Sequence, residues 1–195
     1  MTQSNSNNAP HMLPSGHLGM ISVIITEVFF FASLIVVYLA YLGKSISGPL
    51  PENTLEMGLV TINTVALLAS SATVVVALKA LRAGNSARFL TFLLLTVLLG
   101  AWFLAGTWIE WQGLIVDKHL ALQTNLFGST YYTLVGFHAF HVTFGVFALF
   151  VIWLCGTLGW IQKHHHQNIE YVSWYWHFVD VVWVAVFLVV YVIGK

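Results

Sequence analysis

Five apolar stretches, each long enough to cross a bilayer, dominate this chain of 195 residues. They run over residues 18–42, 57–81, 89–111, 126–161 and 172–193. A membrane-spanning helix needs about 20 predominantly apolar residues, and every stretch reaches that length. In hydrocarbon the backbone must satisfy its own hydrogen bonds, which leaves helices or a closed barrel. The strict alternation of barrel strands is absent, so the expectation is an all-α integral membrane bundle of five transmembrane helices. The fourth stretch has 36 residues. As one helix it would measure about 54 Å, so it must tilt or project beyond the bilayer.

Composition closes off the alternatives. Charged side chains make up 7% of the chain, and its formal net charge is zero. A soluble domain carries about 25% charged residues, so an ordinary soluble enzyme is excluded. With 58% hydrophobic residues the chain is no disordered segment either. A nucleic-acid partner is not expected, because nothing supplies a basic face. Cys155 stands alone. It can form no intrachain disulfide, and no cysteine pair exists for a thiolate-bridged copper centre or an iron–sulfur cluster.

Residues 1–17 are polar, carry no Lys, Arg, Asp or Glu, and read as a flexible tail. Residues 18–195 read as a single five-helix domain. The tail lacks the basic region of a signal peptide, so the first span is expected to be retained. The connections are short; 43–56 contains Gly48, Pro49 and Pro51, and 82–88 turns around Gly84. No internal repeat is evident, which gives an inverted-repeat transporter little support. Lys79, Arg82, Arg88 and Lys163 flank two connections on one side; Lys44, Lys118 and Lys195 fall on the other. The denser cluster places the amino terminus inside and the carboxyl terminus outside.

Polar groups within the spans carry the functional signal. Glu27 lies in the middle of the first span, where a charge costs about 2.5–3.5 kcal/mol. It reads either as a proton, lipid or gas-pathway site, or as a neutral carboxyl bonded to a neighbouring helix. Asn63 and Ser70 are seven residues apart, as are Thr64 and Ser71, so the second span carries a polar stripe suited to helix packing. His138 and His141 share a face of the fourth span, and His177 and Asp180 share one of the fifth. With Glu110 at the end of the third, these groups can form a buried hydrogen-bonded network. A haem between the last two spans is disfavoured: His141 would lie about 24 Å and His177 about 9 Å from the same face. His164, His165 and His166 form a loop run that reads as solvated, or as a proton-collecting surface. The eight tryptophans cluster near span ends, as an interfacial aromatic belt does. No nucleophile–base pair, phosphate-cradling loop or zincin motif is present.

Several segments together resemble subunit III of the haem–copper oxidases. The run Phe127-Gly128-Ser129-Thr130-Tyr131-Tyr132, followed by Gly136-Phe137-His138-Ala139-Phe140-His141-Val142, is similar to one of that family's motifs. So is Glu170 followed by Trp174-Tyr175-Trp176-His177-Phe178-Val179-Asp180 and Val181-Val182-Trp183. Thr26-Glu27-Val28-Phe29-Phe30, Asn63-Thr64 with Ser70-Ser71, and His165-His166 before Glu170 support it in family order. The chain resembles the shorter five-span form, lacking two helices that usually wall a lipid-filled cleft. Thr107 stands where the family usually has Gln.

The resemblance implies a non-redox subunit of an aerobic respiratory oxidase, without a catalytic centre, cofactor site or metal site of its own. Haem and copper would belong to the partners. Those are oxidase subunit I in direct contact, subunit II in the same complex, and membrane phospholipid. The implied location is a bacterial cytoplasmic membrane. Glu27 corresponds to a buried cleft glutamate beside lipid and an oxygen route. His165, His166 and Glu170 correspond to an inner-surface cluster that supports proton uptake. Glu110, His138, His141, His177 and Asp180 correspond to structural buried polar groups. The Trp174-Tyr175-Trp176 spelling leans toward cytochrome c oxidase over a quinol oxidase; a nitric oxide reductase accessory homologue is the other relative of this type. A stand-alone transporter coupled through Glu27 is the competing class.

Overall fold

A computed structural model of the chain describes residues 15–45, 48–55, 57–161 and 166–194. Most of the polar segment read as a tail, and His164 and His165, lie outside the described residues. Five long helices make the body: α1 (Ser15–Tyr41), α3 (Met57–Arg82), α4 (Ser86–Val116), α5 (Leu126–Thr157) and α6 (His166–Phe187). A single turn, α2 (Pro51–Thr54), precedes α3, and α6 runs on as a π-helical segment over Leu188–Ile193. All five long helices are long and apolar enough to cross a membrane. No strand occurs among the described residues.

The bundle is held by seams rather than by amphipathic faces, since both sides of each helix are apolar. Buried residues on α3 recur three and four apart: Val60, Asn63, Leu67, Ser70, Val74, Ala77 and Leu81. On α4 the series is Phe89, Leu93, Thr96, Gly100, Phe103 and Thr107. On α6 it is Ile169, Ser173, Trp176, Asp180 and Trp183. A 3.5-residue repeat is the seam of a left-handed bundle. Lipid solvates leucine as well as a neighbouring helix does, so close approach and hydrogen bonds must hold the seams. Small and polar residues accordingly occupy them. The seam of α4 narrows at Gly100 and Gly106; a Cβ at Gly106 would overlap the Asn63 carboxamide of α3.

The α3–α4 hairpin is the most extensive contact, and α5 and α6 close the core against it. Helix α1 is peripheral, with α5 and α6 as its main neighbours. It buries Phe31 and Tyr38, while Phe29 and Val36 face outward. The exposed belt of Leu98, Trp102, Ile109, Phe140 and Phe147 suits a lipid surround.

Turns set the helix order. Gly84 takes a positive φ of 78° between α3 and α4, a conformation that costs glycine little. Asn85 then caps α4 by accepting from the Arg88 N–H at 3.0 Å. Asn125 caps α5 by accepting from the Gly128 N–H at 2.8 Å, and its amide donates to the Pro49 carbonyl at 2.9 Å. One side chain thus starts α5 and ties down the loop after α1. Asn125→Ala is expected to cost about 1–2 kcal/mol, since it removes a cap and a tether together. Thermal unfolding of the detergent-purified chain would check this; an unchanged midpoint would show that neither bond matters.

Several boundaries differ from the sequence expectation: α1 begins at Ser15, inside the segment read as a tail, and α4 runs to Val116, past its apolar stretch. Helix α5 stops at Thr157, so the fourth span is shorter than its apolar stretch; Gly159, with a φ of 76°, turns the chain there. Helix α6 begins at His166, six residues ahead of its apolar stretch, because polar Gln167, Asn168 and Glu170 belong to its first turns. His177 is therefore eleven residues inside α6, about 17 Å deep rather than 9 Å. His141 and His177 also face different helices: His141 turns to α1 and His177 to α3.

Candidate functional site

Glu27 of α1 meets His141 of α5, with Oε2 and Nε2 3.1 Å apart. The other imidazole nitrogen, Nδ1, lies 2.7 Å from the Phe137 carbonyl oxygen. A carbonyl only accepts, so Nδ1 carries hydrogen and donates to it. The second contact then holds a single shared proton. Either Glu27 donates to a neutral ring, or an imidazolium donates to a carboxylate. Both arrangements are neutral overall, which suits a medium that penalises unpaired charge. Phe31 packs on the ring with centroids 5.0 Å apart, and the Tyr175 hydroxyl donates to the His141 carbonyl at 3.3 Å. Two apolar grooves lie along α5, the first of them shared with α1. One, of about 270 Å³, lies between α1 and α5 beside Leu34, Val37, Thr130 and Thr133. The other, of about 310 Å³, runs past Gly136, Phe137 and Phe140.

The polar stripe of α3 serves α6 and α4. The Trp183 indole N–H donates to Thr64 Oγ1, and the Trp176 indole N–H to Ser70 Oγ, each at 2.9 Å. Ser71 donates to Asp180 Oδ2. Its oxygen also lies 2.9 Å from His177 Nδ1. A hydroxyl has one proton, so once Ser71 gives it to Asp180 the imidazole must donate to Ser71. His177 and Asp180 are thus joined through a serine on another helix.

Trp176 is wholly buried at the centre of the bundle. Its ring lies against Gly100 of α4 and Gly145 of α5, where added Cβ atoms would each come within 2.8 Å of it. His138 is also wholly buried. It stacks on Trp183 with centroids 4.9 Å apart and meets the edge of Phe103 at 5.9 Å. Among the described residues, neither ring nitrogen of His138 has a hydrogen-bond partner.

Glu110 lies at a third place. The Tyr191 hydroxyl donates to its Oε1 at 2.9 Å and lies 3.1 Å from the Tyr131 hydroxyl. Sequence reasoning overlooked both tyrosines. Tyr131 had a signal, since it sits in register with Leu134 and His138 on the seam of α5. Tyr191 had none: the π-helical segment inserts an extra residue per turn and buries Val190 and Tyr191 side by side. The five acids and histidines read as one network thus occupy separate settings: Glu110 with tyrosines, His141 with Glu27, His177 and Asp180 with Ser71, and His138 among aromatic rings.

At the end where α3 and α6 meet, Arg82 pairs with Glu170 at 2.7 Å. The first turn of α1 reaches the same end, where His17 Nδ1 lies 2.9 Å from the Tyr171 hydroxyl. His166 opens α6 there, and His165 lies outside the described residues. Among the described residues, no three His, Cys, Asp or Glu side chains are grouped to hold a metal ion.

The family model for cytochrome c oxidase subunit III matches residues 7–195. Cytochrome c oxidase subunit 3 of Alkalihalophilus pseudofirmus is 34% identical over 86% of this chain and 82% of the relative. The Synechocystis protein of that name is 35% identical over 90% of this chain and 74% of its own length. The Anopheles gambiae protein is 33% identical over 89% of this chain and 67% of its own.

Proposed function

The chain belongs to the cytochrome c oxidase subunit III family, and from that premise we propose that it is a non-catalytic subunit of a cytochrome c oxidase. It packs against the catalytic subunit I, shares the complex with subunit II, and leaves haem and copper chemistry to them. Its amino terminus faces inward and its carboxyl terminus outward, in a bacterial cytoplasmic membrane. The end bearing Arg82, Glu170 and His166 is then the inner one, where charged and imidazole side chains support proton uptake. The five spans form a single domain, which α1 enters at Ser15.

The observation that carries the reading is the Glu27–His141 pair. A carboxyl group in the middle of a peripheral helix is retained at a cost unless it does something there. Here it meets an imidazole, and further along the same two helices lies an apolar groove that could take an acyl chain. The pair secures α1 to α5 and fixes the groove between them. That arrangement retains phospholipid and keeps an apolar route for oxygen closed to water.

Co-purification tests the subunit assignment. Extraction of the tagged chain from its native membrane in mild detergent is expected to recover a haem–copper catalytic subunit and a copper-binding subunit. A quinol oxidase or nitric oxide reductase core would keep the family and replace the electron donor or acceptor. Recovery of the chain alone, under conditions that hold other complexes together, would overturn the proposal in favour of a stand-alone membrane function.

Glu27→Gln tests the groove. The amide preserves shape but cannot share a proton with His141 as the acid does. Assembly is expected to survive, while bound phospholipid falls and turnover-dependent inactivation quickens. Unchanged lipid content and operating lifetime would remove the groove role.

A further inference from the structure

His177 uses only one of its two ring nitrogens inside the bundle. Nδ1 donates to Ser71, whose own proton goes to Asp180, so Nε2 carries a lone pair and no hydrogen. Among the described residues nothing donates to Nε2, and unlike the nitrogens of His138 it is not enclosed. The residue itself is partly exposed. Val181 and Val184 follow it by four and seven positions, so the three share one face of α6. Val181 is 68% exposed, and Val184 is exposed as well. Across the seam on α3, Leu68 and Val75 stand on either side of Ser71 and are exposed too. The outer surface of the α3–α6 seam is thus apolar, with one hydrogen-bond acceptor set into it.

Depth makes that acceptor costly. His177 lies seven residues past Glu170, whose ion pair with Arg82 marks the charged end of the bundle. Seven residues carry it about 10 Å further along α6. The hydrocarbon layer is about 30 Å thick, and acyl chains hold no donor. A polar group left unpaired there loses its hydrogen bond to water and gains none in return. Lipid covers the valines and leucines of this surface but leaves Nε2 unsatisfied. A protein helix bearing a hydroxyl, carboxamide or indole N–H serves both, and such interhelical bonds hold membrane helices together. We propose that the α3–α6 seam docks a transmembrane helix of the catalytic subunit, and that a donor side chain on that helix meets Nε2 of His177. The proposal rests on the reading of this chain as an oxidase subunit, and adds the face that docks and the bond that anchors it.

Cross-linking in the purified assembly tests it. The full chain carries Cys155→Ser with either Val181→Cys or, as a control on exposed α4, Leu98→Cys, each labelled with a benzophenone maleimide. An assembly that lacks the catalytic subunit would overturn the subunit reading and the proposal with it, and is seen before irradiation. With that subunit present, the label at position 181 is expected to join one of its transmembrane segments, identified by mass spectrometry. That segment should carry Ser, Thr, Tyr, Trp, Asn or Gln within one turn of the linked residue. The label at position 98 is expected to join lipid. Cross-links from position 181 to lipid alone, or to an entirely apolar segment, would overturn the proposal. His177→Phe tests the anchor, since it keeps a ring, removes the acceptor and leaves Ser71 donating to Asp180. Retention of the catalytic subunit through a detergent wash should fall about tenfold, the loss of one hydrogen bond. Unchanged retention would overturn the anchoring role. If His177→Phe fails to fold, the cross-link from position 181 decides.

Discussion

Gly145→Leu is expected to prevent the bundle from closing around Trp176. A Cβ at this position would lie 2.8 Å from the indole Cε3, and Gly100 leaves no retreat on the other side, its own Cβ position being 2.8 Å from Cη2. The ring cannot swing away, because its N–H is held by Ser70 at the floor of the α3 seam. Overpacking of a filled core costs about 1–3 kcal/mol and sometimes more, and leucine places three further carbons in the same space. A loss of about 3 kcal/mol would lower the thermal midpoint by roughly 10 °C in a chain of this size. Thermal unfolding of the purified chain, followed by tryptophan fluorescence, measures this directly. The mechanism has its own check. Gly145→Ala combined with Trp176→Leu should cost less than the two single changes added together, with a coupling of about 1 kcal/mol. Strict additivity would show that the glycine serves something other than the indole.

The second large effect is expected at Ser71. This side chain, on α3, links His177 and Asp180, one helical turn apart on α6. Ser71→Ala would leave the Asp180 carboxyl and the His177 ring without the hydroxyl that joins them. Among the described residues Oδ1 of Asp180 is already buried without a partner, so losing the bond to Oδ2 leaves the whole carboxyl unsatisfied. At about 1–3 kcal/mol for each orphaned polar group, a loss of about 2–4 kcal/mol is expected. His177→Ala should be milder, because Ser71 can still donate to Asp180. Reversing the order, with His177→Ala worse than Ser71→Ala, would show that His177 reaches Asp180 without the serine. Thermal midpoints and the yield of assembled complex for the two variants decide between them.

These two sites mark the division between what could be read along the chain and what could not. Span number and helical class follow from local quantities: an apolar run of sufficient length, and a solvent that forbids unpaired backbone groups. The polar stripe of α3 was visible for the same reason, since residues seven apart share a face of one helix. Glu27, His138, His141, His177 and Asp180 drew attention through their cost in hydrocarbon, and that cost depends on residue type and depth alone.

Partner identity depends on how helices rotate and slide against one another. Every helix here is apolar on nearly all sides, so burial of hydrophobic area chooses no unique rotation, and the choice falls to contacts between residues distant in the chain. Glu27 finds His141, separated by 114 positions, and Ser71 finds Asp180, separated by 109. The boundaries of α5 and α6 moved as well, because polar first turns and a left-handed glycine carry weight that an apolar count ignores. By itself the sequence determined a five-helix membrane protein with expensive polar groups in its spans. The tertiary structure alone decided that those groups occupy separate settings. In a medium where apolar contact is nearly indifferent to its partner, hydrogen bonds and the close fit of glycine to indole set the registry of the helices.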